Sequence, residues 1–334
     1  MPYRHRSRAE SLQANSFLSN KKFTSNSTSN YTHQKGNYMI AFQAFLEKLR
    51  KGLLCHYGEG CMVEIAEVQK NNGVRRMGIR IVQEDSNISP MLYAEELYKM
   101  YQDGRPLSEI LSETVAIYEQ YRIEGSVETG FIEDFSKMKD RILYRLVGYE
   151  KNRELLRTLP HIRFLDMAVI FYWSIFHDTF GSADILVKKS LCRIWQVGEE
   201  SLAEAAKQNT PRLLPPKICD ICDIMEVLSE TKTEEEIRGN LYVLTNIRRH
   251  YGAACMLYGG VLEEFAEKTG KSFYVLPSSV HEVLLAPYSE MISEQELCGM
   301  VRSINQTQVE PEEVLTDSAY FYDQEKQELR RLQG

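Results

Sequence analysis

The segment LPSSVHEVLLAP, Leu276 to Pro287, sets Ser278 and Ser279 just ahead of the pair His281–Glu282. A hydroxyl, an imidazole and a carboxylate are the parts of a nucleophilic hydrolase or transferase. The imidazole takes the serine proton and the carboxylate orients the imidazole. Alternate residues of a strand share a face, so Ser279 and His281 fall together and Glu282 points away from both. A relay built here needs its acid from elsewhere, and Asp178 and Asp317 are the candidates. No glycine flanks the serines, as a nucleophile elbow requires. The simpler expectation is a turn at Pro277-Ser278-Ser279 joining SFYVL to HEVLLAP, with the hydroxyls satisfying turn backbone. His281 is the residue of this segment whose direction the pattern leaves open.

Other polar groupings carry less. Asn246, with Arg248, Arg249 and His250 in TNIRRHYG, gives a short basic cluster in which Asn246, Arg249 and His250 are candidate binding residues, and it reads more simply as a solvated turn. His177 and Asp178 are adjacent in IFHDTFG and so point apart. Cys219 and Cys222 in KICDICD have zinc or redox spacing. A second cysteine pair is missing, Asp220 and Ile221 replace the expected Pro or Gly, and the run predicts a helix burying both thiols. Neither GxxxxGK[ST], GxGxxG nor HExxH occurs, so no cofactor and no metal are expected.

The elements that must position these residues follow from hydrophobic period. The chain has 334 residues, 43% apolar and 26% charged, enough for one large or two medium domains with a full core. Residues 1–38 are Ser/Asn/Thr/Lys-rich with no apolar period, which predicts a disordered tail or a start placed upstream of Met39. They hold six basic residues against one acid, a balance of +5, so the formal −7 of the chain leaves −12 on residues 39–334. A surface of that sign disfavours nucleic acid. Without an apolar leader or a long apolar run, and with seven cysteines expected reduced, the composition predicts a cytoplasmic protein with no membrane segment.

From Met39 an amphipathic helix is expected, with Ile40, Phe42, Phe45, Leu46, Leu49 and Leu53 on one face. A hairpin should follow at NNGV, with Val63, Ile65 and Val68 opposite Met77, Ile79 and Ile81. Two helices should break at DGRP, where Gly104 caps and Pro106 restarts. A long helix is expected over Phe131–Leu159, then strands RFLDMAVIFYWSIF and DILVKKSLCRIW. PRLLPPK predicts a boundary between an N-terminal region, 39–210, and a C-terminal region, 217–330. In the latter, AACMLYG reads as a strand, VLEEFAEKT as a helix capped by Gly270, and Ser293 with Glu296 as a capping box. ESLAEAAKQNTPRLLPPK and QELCGMVRSINQTQVEPEE share enough spacing to suggest a repeated hairpin–helix unit. The fold class expected is α+β, with antiparallel hairpins and helices packed on their faces.

EVQKNNGVRRMGIRI, SPMLYAEELYKMYQDG, LYVLTNIRRHYGAACMLYGGVLEEFA, FYVLPSSVHEVLLAP and ELCGMVRSINQTQVEPEEVLTDSAYFYD occur in that order. Over Met39–Tyr322 the chain resembles a family of uncharacterised proteins from Gram-positive anaerobes, domain-of-unknown-function number 5688. The resemblance implies a cytoplasmic bacterial protein and carries no catalytic residues. With no complete catalytic motif and with 19 tyrosines, a residue type enriched at interfaces, the expected function is a non-enzymatic module binding a protein or small molecule.

Overall fold

The computed structural model describes residues 30–333 except 85, 87–88, 123–124, 126–129, 178–180, 225–239 and 291–292; side chains are described from residue 41, those of 175–183 excepted. It is an α+β fold of three antiparallel sheets.

The first sheet has the order β1 (Cys61–Gln69), β2 (Arg75–Gln83), β3 (Met91–Tyr93). Its hairpin turns at Asn71–Gly73, where Asn72 takes φ 58°, a left-handed conformation that asparagine tolerates. Val63 pairs with Ile81 and Ile65 with Ile79, as the alternation requires. Helix α1 (Asn30–Tyr57) lays Phe42, Phe45, Leu46, Leu49 and Leu53 on this sheet; it starts nine residues before Met39. Helices α2 (Ala94–Gln102) and α3 (Leu107–Tyr121) close the same core with Leu97, Tyr98, Ile110 and Tyr118. Gly104, φ 90°, lies between them.

The second sheet corrects three expectations. Phe131–Leu159 is not a long helix. It is a turn of helix at Phe135–Met138, then strand β4 (Ile142–Gly148), then short turns. ILYRLV is buried on both faces, so its apolar run carries no period-2 signal and mimics a helix. RFLDMAVIFYWSIF is two strands, β5 (His161–Phe164) and β6 (Met167–His177), turned at Leu165 with φ 52°. DILVKKSLCRIW splits into strand β7 (Gly181–Leu186) and helix α4 (Lys189–Trp195), because the lysine pair interrupts the strand pattern. β6 pairs with β4 along one edge and with β5 and β7 along the other. Helix α5 (Glu199–Leu213) runs through Pro211 and is pinned to β4. Asn209 Nδ2 donates to the carbonyls of Lys139 (2.7 Å) and Ile142 (3.0 Å).

The third sheet has the order β13 (Glu328–Arg331), β12 (Tyr320–Asp323), β10 (Phe273–Pro277), β11 (Val283–Pro287), β9 (Tyr242–Asn246), β8 (Pro216–Asp220). Phe273, Val275, Val283, Leu285, Tyr320 and Tyr322 face a core shared with Tyr144, Leu146, Phe171 and Trp173 of the second sheet. Tyr274 on the opposite face meets Leu297, Cys298 and Val301 of helix α7 (Glu294–Thr307), whose capping box is formed by Ser293 and Glu296. Helix α6 (Val261–Thr269) ends at Gly270 with φ 67°.

AACMLYG is not a strand. Gly252–Leu257 is a 3-10 helix, and its backbone is forced tight because a Cβ on Gly252 would lie 2.5 Å from the His281 carbonyl oxygen. Cys219 sits on β8, half-buried, and only Cys222 is buried on helical residues, 221–224; Asp220 between them accepts the Cys222 N–H at 2.8 Å. A repeated hairpin–helix unit is not confirmed. α5 follows helix α4, whereas α7 follows the β10–β11 hairpin.

Asparagines join the first sheet to the rest. Asn152, buried, donates through Nδ2 to Asn71 Oδ1 (2.8 Å), Asn72 Oδ1 (3.1 Å) and Gly148 O (2.8 Å), and accepts the Asn72 N–H at 2.9 Å. Asn71 Nδ2 donates to Glu312 O at 2.8 Å, and Arg76 pairs with Glu312 at 2.8 Å.

Candidate functional site

The loop after β9 is built by Asn246, which is fully buried. Its Oδ1 accepts the N–H groups of Arg248 (3.0 Å) and His250 (3.3 Å), and its Nδ2 donates to His250 O (2.7 Å). An amide side chain that satisfies three backbone groups fixes a turn that no ladder supports. Arg249 and Tyr251 both take φ 52° in it. The outcome is that Arg249 stays exposed while His250 and Tyr251 turn inward onto the second sheet.

The face of the second sheet that receives them is set by strand alternation. Ser174 and Asp184 are direct cross-strand partners, and Tyr172 stands two residues from Ser174. Arg145 pairs with Ile170 on the neighbouring strand and shares their face. His250 Nε2 lies 2.5 Å from Asp184 Oδ2, and Ser174 Oγ donates to Asp184 Oδ1. A carboxylate only accepts, so His250 offers it Nε2–H. Nδ1 keeps its lone pair, with no partner among the described residues.

His281 comes from the β10–β11 connection. Ser279 Oγ accepts the His281 N–H at 3.0 Å, and Ser279 N–H donates to Glu282 O at 3.3 Å. Ser278 Oγ donates to Glu282 O (3.3 Å) and reaches Glu282 Oε1 at 3.4 Å. The serines therefore bond the turn and Glu282, and the His281 ring is directed elsewhere. It stacks on Tyr251 at 5.5 Å between centroids and lies 5.6 Å from the His250 ring. Its Nδ1 accepts the Tyr251 N–H at 3.2 Å, so in the neutral ring Nε2 carries the proton; that atom is 3.7 Å from Glu313 Oε1. Burial pushes its pKa down to about 4, helped by His250 and Arg145 and opposed by Asp184. His281 is thus neutral at neutral pH. Burial raises the carboxyl pKa of Glu282 and of Glu313.

Arg145 completes the cluster. Its guanidinium carbon stands 4.1 Å from the Tyr251 ring centroid and 6.0 Å from that of Tyr172, while Tyr251 meets Tyr172 edge-on at 5.5 Å. Nε is buried without a hydrogen-bond partner, and no carboxylate among the described residues forms an ion pair with Arg145. Burial raises the phenol pKa of Tyr251.

The structure thus brings together His250 and His281, 31 residues apart in the chain, with Asn246 as the scaffold of one of them. Asp317 is not part of the cluster; it pairs with Lys151 at 2.8 Å and accepts from Asn305 at 3.0 Å. Asp178 lies outside the described residues. Arg145, Tyr172, Ser174, Asp184, Tyr251 and Glu313 escaped the sequence reading. The available signal was Arg145 itself, the single charge inside the apolar run ILYRLV. Among the described residues, no group of three or more His, Cys, Asp or Glu side chains could hold a metal ion, and no helix is long and apolar enough to cross a membrane. Arrangements of this kind can orient a polar ligand, accept a proton at His250 Nδ1, or offer cationic charge from Arg145.

No curated protein and no solved structure matches the chain. One family model matches residues 42–324, which covers all three sheets as far as β12 and every residue of the cluster. The chain belongs to that family, the family of unknown function DUF5688.

Proposed function

We propose that the chain is a cytoplasmic bacterial binding module whose ligand seats on the Arg145–Tyr251–His250–His281 cluster, between the second sheet and the loops of the third. The observation that carries this reading is the Nε of Arg145, buried without a hydrogen-bond partner in a guanidinium that stacks on Tyr251 and bonds that residue's side chain. Leaving a buried donor without a hydrogen bond costs about 1–3 kcal/mol, part of which stacking on tyrosine offsets. Such a group is retained at a cost to the free protein and is supported best as a group that a ligand completes. A thermal-shift panel of nucleotides, sugars, amino acids and organic acids, run on wild type and on Arg145→Met, tests it. At least one compound should stabilise wild type and leave Arg145→Met unmoved. If every compound acts on both alike, the reading fails.

A second reading, a hydrolase or transferase, is favoured by one observation, the Ser174–Asp184–His250 chain with His250 Nδ1 open. It predicts slow turnover of p-nitrophenyl esters that His250→Ala abolishes. Equal rates in both proteins sink it. Labelling of Ser279 by a fluorophosphonate would instead return attention to the PSSVHE segment.

A further inference from the structure

We infer that the ligand presents an oxyanion, a carboxylate or a phosphate, to Arg145; this rests on the binding reading above and adds the ligand's chemistry to it. Three nitrogen-bearing groups surround one ring. The Arg145 guanidinium carbon is 4.1 Å from the Tyr251 centroid, the His250 ring centroid is 3.9 Å from it and the His281 ring centroid 5.5 Å. They arrive from three separate segments, a strand, the turn built by Asn246 and the serine-bonded loop, so no local sequence requirement explains their convergence. The acids nearby are already engaged. Asp184 spends one oxygen on His250 and the other on Ser174, Glu282 is bonded by Ser278, and Glu313 stands beside His281. None of them forms an ion pair with the guanidinium, whose side-chain hydrogen bond goes to Tyr251.

The donors that remain suit an oxyanion and little else. Arg145 Nε–H is buried and unpaired, and the guanidinium fork matches two oxygens of one carboxylate or phosphate group. Arg145 is half-buried and the His250 side chain is 35% exposed, so both are reachable from solvent. The open Nδ1 of His250 can accept a hydrogen bond from a hydroxyl-bearing anion such as hydrogen phosphate, while Asp184 fixes the ring through Nε2. A carboxylate uses the Arg145 fork alone. The two sources therefore differ in their dependence on His250 and not in their dependence on Arg145. A neutral or cationic ligand has no use for the fork, and a cation would be repelled by it.

The test uses the full chain with sodium phosphate and sodium acetate as probes and sodium chloride at equal ionic strength as the control, read by thermal shift and by titration calorimetry. Phosphate or acetate should stabilise wild type beyond chloride. Arg145→Met should weaken that binding at least tenfold, with Arg145→Lys intermediate because it keeps charge without the fork. His250→Asn should weaken phosphate more than acetate, and it supplies the decisive variant for phosphate should Arg145→Met not fold. Arg80→Gln, which removes an exposed pair with Glu64 on the first sheet, should bind as wild type. Equal stabilisation of all variants by both anions overturns the inference, since the effect is then a general salt effect. Arg145-dependent stabilisation by uncharged compounds of the earlier panel, with none by phosphate or acetate, overturns the oxyanion and leaves the binding module standing. No response to any compound, together with an Arg145→Met protein as stable as wild type, overturns both.

Discussion

His281 makes the stability of this protein depend on pH in a window that its neighbours define. Unfolded, its imidazole titrates near 6.5; folded, burial and the nearby His250 and Arg145 bring it down to about 4. Above pH 6.5 both states are neutral at this position, and below 4 both are protonated. Between those values the unfolded chain binds a proton that the folded chain refuses, so stability falls as pH falls. At 1.36 kcal/mol per unit, the whole window is worth about 3 kcal/mol. The His281 side chain is 25% exposed, so that magnitude applies with little screening. Glu282 and Glu313 act in the opposite sense, since burial raises their folded pKa and favours the folded state as pH falls. The His281 contribution is isolated by comparison with His281→Gln, whose amide oxygen can still accept the Tyr251 N–H. Urea denaturation of both proteins at pH 7.5, 5.5 and 4.5 should show wild type losing about 2–3 kcal/mol more than the variant over that range. Parallel losses in the two proteins would refute the placement of a neutral, buried His281, as would a His281 ring proton that titrates near 6.5 by NMR.

Three further expectations follow from packing and from thiol chemistry. Asn152→Ala deletes four hydrogen bonds and strands the amides of Asn71 and Asn72; equilibrium unfolding should show a loss on the order of 3 kcal/mol. Gly252→Ala drives a methyl group into Thr245 Oγ1 and to 2.5 Å from the His281 carbonyl, so it should cost about 3 kcal/mol or more and shift the His250 and His281 ring resonances. Cys55 is exposed, whereas burial pushes the Cys255 thiol up to about 12. Iodoacetamide at neutral pH, followed by peptide mass mapping, should therefore label Cys55 in the native protein and reach Cys255 only after unfolding.

Where local chemistry alone decides an element, the amino-acid pattern was sufficient. The Asn71–Gly73 turn, the helix break at Gly104, the Gly270 stop and the Ser293–Glu296 box each depend on residues within a few positions of one another. The pattern failed where burial is two-sided. β4 packs Tyr144 and Leu146 toward one core and Leu143 and Val147 toward others, and a run that is apolar everywhere has neither the period of a strand nor that of a helix. That one misreading also hid the site. Read as helix, Arg145 is one more solvated charge; read as the middle of a buried strand, it is the exception that needs explaining. His250 and His281 were visible as polar residues in turns, but their meeting depends on strand order in the third sheet, where β11 lies beside β9. No local signal encodes that adjacency.

The asparagine junction has a consequence for how the chain reaches this fold. Asn71 meets Glu312 across 241 residues, and Asn152 Nδ2 meets Asn71 across 81. The first sheet and its three helices draw their core from residues 42–118, all synthesised early, so that layer can consolidate while the rest of the chain is still emerging. Its docking cannot. The Glu312–Val314 segment that receives the hairpin begins 241 residues after Asn71, and the same segment supplies the Glu313 carbonyl that accepts the Val280 N–H at 2.8 Å beside His281. Closing so long a loop is entropically costly, and the contact that closes it adjoins the one that frames the cluster. The Asn71–Gly73 turn is therefore left without the carbonyl acceptors of Pro311, Glu312 and Val314 until that segment has been made.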